Sequence, residues 1–204
     1  DDLAKEHCFG IDYILNTDSI DAALLGRYEL FLQLDYPPYG WKDAAVIAFE
    51  KAIEQGTIGW IGLHHASLLG EFDGYPLWEW FSRFLGDITY SDYIAAFAQG
   101  TVIVEDTSHP CVRGVPGTFL VEKEEWYIYN RSPRPNVHVI ARVDETTYVS
   151  DSPVRMGDHP VIWTNPSAAA RNLYIFMGHS PALFDSAAYT TLLRNSVLWA
   201  AGQN

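Results

Sequence analysis

Three histidines of this sequence, His64, His109 and His179, stand just past short apolar runs rich in Ile, Val and Leu. An imidazole can act as a general base, a general acid or a metal ligand near neutral pH. If the apolar runs are parallel β-strands, their carboxyl ends meet at one edge of a sheet and the three rings converge there. Converging imidazoles with a carboxylate form either an acid–base site or a zinc site, although a histidine of this kind, taken alone, is more often structural than functional.

The sharpest local feature is the stretch Gly59–Ala66 (GWIGLHHA), which ends in GLHHA. An apolar strand that runs straight into a polar residue flanked by small ones is typical of a tight strand-to-helix turn, which lifts one side chain above the end of the strand. In hydrolases with this turn the lifted residue is Ser or Cys, whereas here it is His64. The alternative is that the adjacent histidines only cap the strand by hydrogen bonds.

Carboxylates beside aromatic rings occur at Glu124-Glu125-Trp126-Tyr127. Such a pair could hold a sugar hydroxyl or accept a proton, or it could be a charged run exposed to solvent. We expect Glu125 to be the carboxylate partner of the imidazoles. Trp126, Tyr127 and Trp78 are the candidates for a wall on which the apolar face of a sugar stacks.

The charge balance narrows the class of ligand. The 204 residues include 13 Lys and Arg against 26 Asp and Glu, a net charge of −13. The negative charge therefore disfavours nucleic acids and anionic membranes as partners. No apolar run is long enough to span a bilayer. Because no Gly-rich phosphate loop occurs, and Arg113 and Arg171 are the only basic candidates for the site, we expect a neutral sugar rather than a phosphate ester.

The two cysteines, Cys8 and Cys111, are far apart in the sequence. We interpret them as two thiols, with a disulfide as the alternative. Since no CxxC pair exists, a thiolate zinc site is excluded. If a zinc ion is bound, we expect His64, His109 and His179 to hold it.

The elements that must position these residues alternate between strand and helix. Helical periodicity predicts the tail of a helix over 1–9 and helices over 43–55, 78–85 and 182–200. Apolar runs predict strands over 11–15, 28–34, 58–63, 101–104, 119–121, 126–129, 137–143, 161–163 and 173–177. The βαβ unit across 28–63 predicts a parallel sheet, so we expect one α/β domain over residues 1–204 with β-rich insertions in its later half.

A doubly wound sheet normally begins with a central strand, and we expect that strand to lie in a segment before residue 1. Localisation stays open between the cytoplasm and, if such a segment carried a signal peptide, the periplasm or the exterior. The oligomeric state is open as well, with a homodimer as one alternative.

In order along the chain, these motifs resemble the ThuA-like (trehalose utilisation) family. The residues that carry the resemblance are Gly62, His64 and Ala66; His109, Pro110, Gly114 and Pro116; Glu124, Glu125 and Tyr127; Pro160, Val161 and Trp163; Arg171, Tyr174, Gly178 and His179; and Leu192, Leu193, Trp199, Ala200 and Gly202.

The resemblance implies a flavodoxin-like, class I glutamine amidotransferase-like fold and a role in the catabolism of trehalose-type disaccharides or their keto derivatives. Related amidotransferases carry Cys at the turn; with His64 there, we expect no glutaminase activity. One hypothesis is a carbohydrate-processing enzyme, acid–base or metal-assisted, with His64, His179, Glu125 and His109 as catalytic residues and Arg171 among the groups that bind substrate. The other is a non-catalytic sugar-binding or protein-interaction module.

Overall fold

The computed structural model describes residues 2–94 and 97–203. Its strands are β1 (Leu30–Leu34), β2 (Gly59–Leu63), β3 (Tyr90–Tyr93), β4 (Ala98–Val104), β5 (Thr118–Glu124), β6 (Tyr127–Tyr129), β7 (His138–Val149), β8 (Pro160–Thr164) and β9 (Asn172–Ile175). Its α-helices are α1 (Asp2–His7), α2 (Ala22–Leu25), α3 (Asp43–Gln55), α4 (Glu79–Phe84) and α5 (Ala187–Ala200). Short 3₁₀ helices cover His64–Ser67, Pro110–Val112, Arg134–Asn136 and Pro181–Asp185.

The main sheet has seven strands in the order β1-β2-β9-β8-β7-β4-β5, and β3 and β6 form a separate antiparallel pair. Strands β1, β2 and β9 are parallel to one another. From β9 outward to β5 every pairing is antiparallel. The α/β fold expected from the sequence is confirmed. Of the strands in the later half of the chain, β5, β7 and β8 extend the main sheet, and β6 pairs with β3 apart from it.

Helices cover both faces of the parallel strands. Neighbouring residues of a strand point to opposite faces. On β2, Trp60 packs against Phe49 of α3, whereas Gly59 lies against the backbone of Ala200 at the end of α5. All five residues of β2 are buried as a result, as expected for a parallel strand covered on both sides.

Helix α3 follows directly from its sequence pattern. Its buried residues include Ala45, Phe49 and Ile53, which recur at helical spacing. The helix ends at Gly56, whose φ of 67° places it in the left-handed region that favours glycine. Within the described residues, none of the helices has the length and apolarity that crossing a bilayer requires.

Two predicted elements differ in the structure. Residues 11–15 form no strand, and Leu15 is 90% exposed, because an apolar run becomes a strand only where a partner strand is available. The helix predicted over 182–200 is divided at Ser186. There the side chain of Ser186 caps the first turn of α5 by accepting from the Tyr189 N–H.

Substitution of Gly59 by Ala tests how closely α5 approaches the sheet. A β-carbon at Gly59 would collide with the carbonyl oxygen of Ala200, and backbone atoms cannot move aside as a flexible side chain can. We expect Gly59→Ala to lower the free energy of unfolding by about 3 kcal/mol, measured by urea denaturation. The control is Gly117→Ala, where a β-carbon meets nothing within 4 Å. Equal stability of the two variants would contradict this packing.

Candidate functional site

A cluster of polar side chains lies at the carboxyl ends of the three parallel strands. Asp35 follows β1, His64 and His65 follow β2, and His179 lies in the segment after β9. The register pairs the last residue of β2 with the last residues of β1 and β9, so the segments that follow them begin side by side. This edge of an open α/β sheet is where ligands bind.

The cluster is tight. Nε2 of His64 lies 2.9 Å from Nδ1 of His179, and an Oε atom of Glu125 lies 3.5 Å from each of these two nitrogens. With His65, the four side chains each offer a ligand atom, and these atoms all lie within 4.8 Å of one another. Among the residues that the structure describes, these four are the group of His, Cys, Asp and Glu side chains whose ligand atoms lie close enough together to hold one metal ion.

The cluster is open to solvent on one side. The side chain of His64 is fully buried, but those of His65, His179 and Glu125 are 30%, 29% and 24% exposed. A ligand can therefore reach the three outer groups while His64 forms the floor of the site.

The backbone of His64 is held in an uncommon conformation. Its φ is 45°, in the left-handed region that few residues other than Gly, Asn, Asp and His adopt. The His64 carbonyl accepts hydrogen bonds from the hydroxyls of Tyr174 (2.9 Å) and Ser67 (3.1 Å). Ser67 Oγ also lies 2.7 Å from the hydroxyl of Tyr129. This buried hydroxyl network fixes the turn predicted from the GLHHA stretch.

The orientation of the His64 ring follows from its contacts. Nδ1 lies 3.3 Å from the carbonyl oxygen of Phe176, which can only accept, so the geometry favours a proton on Nδ1 and a lone pair on Nε2. Burial, with the nearby His65, lowers the pKa of His64 to about 3, so the ring is neutral at physiological pH. The segment after β9 passes close to this turn at Gly178, where a β-carbon would make a tight contact of 3.2 Å with Cβ of His64.

Glu125 reaches the site because the chain crosses the end of the sheet after β5. The preceding Glu124 is completely buried and accepts from the N–H groups of Gly178 (3.1 Å) and Glu125 (3.0 Å). Burial raises the pKa of Glu124 to about 7, against the opposing effect of these N–H groups. Oε1 of Glu124 lies 3.5 Å from Nδ1 of His64. Since burial favours the neutral form of each group, we regard this contact as polar rather than as an ion pair.

His65 is oriented by Asp35, whose Oδ1 lies 2.7 Å from Nδ1 of His65. This hydrogen bond raises the pKa of His65 against the opposing effect of burial. Burial alone would raise the pKa of Asp35, but the hydrogen bond and charge of His65 outweigh it and the pKa is lowered. Asp35 also has a left-handed φ, of 51°, directly after β1, as His64 does after β2.

Aromatic side chains lead away from the cluster. Tyr127 packs against His64 with ring centroids 4.6 Å apart, and burial together with the Glu125 carboxylate raises the pKa of Tyr127 far above its ordinary value. From Tyr127 the rings continue through Tyr90, Phe72 and Tyr39 to Tyr75, with successive centroids 5.3, 5.8, 5.4 and 6.2 Å apart. We call these five residues the aromatic row; its outer end, Tyr75, is 49% exposed.

Of the residues considered from the sequence for the stacking wall, Tyr127 contacts the cluster, but it is itself buried, with 3% of its surface exposed. Trp126 is fully buried, with its indole N–H donating to the Ala98 carbonyl. Trp78 packs among core rings, including Trp41 at 5.2 Å, and its indole N–H donates to Glu50. Neither indole extends the aromatic row.

His109 and Arg171 do not join the cluster. Strand β4, which His109 follows, runs antiparallel to β7 and therefore opposite to β2 and β9, so its carboxyl end lies at the other end of the sheet. The ring of His109 packs there against Trp199, with centroids 4.7 Å apart. Arg171 directly precedes β9 and donates to the Trp199 carbonyl at the same far end.

Sequence reasoning did not select His65, Asp35 or Tyr90 for the site. The motif analysis assigned the lifted position of the turn to His64 and gave its neighbour His65 no separate role. Asp35 carries the same signal as His64, a polar residue directly after a predicted strand. No local pattern marks Tyr90, because its role depends on loops that meet only in the folded chain.

Comparison with known proteins places this chain in a family. The family model ThuA, described as trehalose utilisation, matches residues 1–200. No match was found among curated proteins. A solved ThuA-like protein of Bacteroides uniformis is 27% identical, with a TM-score of 0.86 over 98% of this chain and 80% of that one.

A ThuA-like protein of Parabacteroides merdae is 18% identical, with a TM-score of 0.67 over 98% of this chain and 84% of that one, and shows the shared fold alone. The family model covers nearly every residue, including all three parallel strands and the histidine cluster at their ends. The chain therefore belongs to the ThuA family, whose described role is trehalose utilisation.

Proposed function

We propose that this protein is an enzyme that transforms a neutral carbohydrate, a trehalose-type disaccharide or a keto derivative of one, at the cluster of His64, His179 and Glu125. The observation that carries the proposal is that one carboxylate oxygen and two imidazole nitrogens from distant segments meet within 3.5 Å. Groups that act on one reacting atom must lie within hydrogen-bond reach of it.

The cluster supplies the groups that sugar chemistry needs. Cleavage of a glycoside requires an acid to protonate the departing oxygen, and rearrangement of a keto-sugar requires a base to remove a proton from carbon and an acid to return one. Glu125 and His179 are partly exposed and can reach a bound sugar, whereas the buried and neutral His64 positions His179 from below. The same donor atoms could instead hold a cation that polarises a sugar oxygen.

The surroundings favour a sugar over a charged ligand. Sugar rings present apolar faces that stack on aromatic side chains. The aromatic row starts beneath the cluster at the buried Tyr127, and from Tyr90 to Tyr75 its rings are partly exposed. Asp35 and Glu125 offer acceptors for sugar hydroxyls. A phosphate dianion would meet these carboxylates in a chain of net charge −13, and Arg171 lies at the far end of the sheet.

The alternative is a non-catalytic sugar-binding or protein-interaction module. Such a module would need the aromatic row and scattered polar groups, but not the convergence of imidazoles and a carboxylate on one point. The buried network that constrains His64 therefore favours the enzyme.

Ligand class can be tested by thermal shift with trehalose, keto-trehalose and trehalose phosphate. A neutral sugar at about 100 times its Kd should raise the Tm by roughly 5–10 °C for a chain of this length. Tyr90→Ala should reduce this shift, whereas Tyr93→Ala should not, because Tyr93 is an exposed tyrosine of the same strand outside the aromatic row. A larger shift with the phosphate would contradict the proposal, and no response to any sugar would favour the interaction module.

Catalysis can be tested with Glu125→Gln, which keeps the shape of the side chain and removes its charge. We expect turnover of the sugar that binds, followed by NMR, to fall at least about 100-fold, the range typical of a lost acid–base group. The control is Glu122→Gln, an exposed carboxylate three residues away on β5. If the Glu125→Gln and Glu122→Gln variants turn over the sugar at equal rates, Glu125 has no part in the reaction.

Glutamine hydrolysis should be absent. Nδ1 of His109 lies 3.0 Å from Sγ of Cys111, but burial raises the pKa of the Cys111 thiol to about 12, so no thiolate nucleophile forms near neutral pH. We expect no ammonia release from glutamine in a coupled assay. Ammonia release that disappears in Cys111→Ala would overturn this prediction.

A further inference from the structure

The donor atoms of the cluster have the spacing of metal ligands. Zinc lies about 2.0–2.2 Å from imidazole nitrogen and carboxylate oxygen, which places the ligand atoms of a tetrahedral site about 3.4 Å apart. Nε2 of His64, Nδ1 of His179 and an Oε atom of Glu125 form a triangle with sides of 2.9, 3.5 and 3.5 Å. His65 offers a fourth atom within the same 4.8 Å group.

The second observation is how the histidines are held. Metal-binding histidines almost always direct their other ring nitrogen to a carboxylate or a backbone carbonyl. Nδ1 of His65 lies 2.7 Å from Asp35, which leaves Nε2 for a ligand bond. Nδ1 of His64 lies 3.3 Å from the Phe176 carbonyl, which leaves Nε2 facing the cluster. Two independent segments therefore supply the outer contacts that a metal site needs.

We propose that His64, His65, His179 and Glu125 form a binding site for one divalent transition-metal cation of the zinc class, with Asp35 and the Phe176 carbonyl orienting the two adjacent imidazoles. Three imidazoles and one carboxylate suit zinc and its neighbours better than Mg²⁺ or Ca²⁺, which prefer oxygen ligands alone. The ligand set differs from the one expected from the sequence, because His65 takes the place of His109.

This inference deepens the proposed function and rests on the same site. A cation there would act as a Lewis acid toward a carbonyl or hydroxyl oxygen of the sugar. The solvent-exposed side of the cluster leaves access for that oxygen. The competing explanation is a direct hydrogen bond between His179 and His64, which satisfies the 2.9 Å contact without a metal.

The experiment measures metal directly. The protein is first stripped of metal with a chelator, and its affinity for Zn²⁺ is measured by calorimetric titration. The metal content after dialysis is determined by mass spectrometry. We expect about one Zn²⁺ per chain, a loss of at least about 100-fold in affinity in His65→Gln, and a 10- to 100-fold loss in Asp35→Asn, the range for outer-shell partners. Co²⁺ in place of Zn²⁺ should give visible absorption bands that His65→Gln changes.

The chain offers a matched control at the other end of the sheet. His138 and Asp106 form a similar pair, with Nε2 and Oδ2 2.8 Å apart, but belong to no cluster of metal-type ligands in the described residues. His138→Gln should therefore bind Zn²⁺ as the unaltered protein does. Circular dichroism and a thermal melt of each variant show that a lost affinity is not lost folding.

The outcomes separate this inference from the proposed function. Stoichiometric Zn²⁺ that depends on His65, without any response to sugars, would support the metal site and contradict the carbohydrate function. Full sugar turnover by chelator-treated protein that binds no Zn²⁺ would overturn the metal site and leave the carbohydrate function standing. Zn²⁺ binding that is unchanged in His65→Gln, or weakened equally in His138→Gln, would also overturn the metal site.

Discussion

The site depends first on the constraint placed on the backbone of His64. A non-glycine residue with a left-handed φ persists only where its surroundings determine it. Here two hydroxyl groups donate to the carbonyl of the same residue, and they come from β9 and from the 3₁₀ helix after β2. Tyr129 of β6 completes the buried network. The turn is therefore fixed by elements far apart in the sequence, and the imidazole is held in one place before any ligand arrives.

A second constraint connects the edge strand β5 to the parallel half of the sheet. Strand β5 lies at the opposite edge from β1, yet Glu124 at its end binds the backbone of Gly178 beyond β9. Because Glu124 is buried, this contact is shielded from water and fixes the crossing segment that carries Glu125 and Tyr127. The segment that follows the antiparallel half of the sheet thus contributes the carboxylate of Glu125 and the ring of Tyr127 to a site formed by the parallel half.

Histidine at the turn also changes the chemistry that the scaffold can perform. A cysteine there would provide a nucleophile, whereas an imidazole with its Nδ1 directed at a backbone carbonyl presents a neutral nitrogen lone pair. That group suits proton transfer or metal ligation. Around it, two carboxylates have pKa values shifted in opposite directions. His65 lowers the pKa of Asp35, and burial raises the pKa of Glu124.

Much of the framework was determined by the sequence itself. The apolar run before His64 and the periodicity of 43–55 predicted β2 and α3, and the polar residues after apolar runs predicted His64 and His179. These signals are local, since hydrophobic periodicity and turn chemistry depend on neighbouring residues. Strand direction is not local. Nothing within β4 indicates that it runs opposite to β2, and this direction separates His109 from the cluster. The pairing of His65 with Asp35 and the row that runs through Tyr90 were likewise decided only by the tertiary structure, because their members come from segments that meet only when the sheet is assembled.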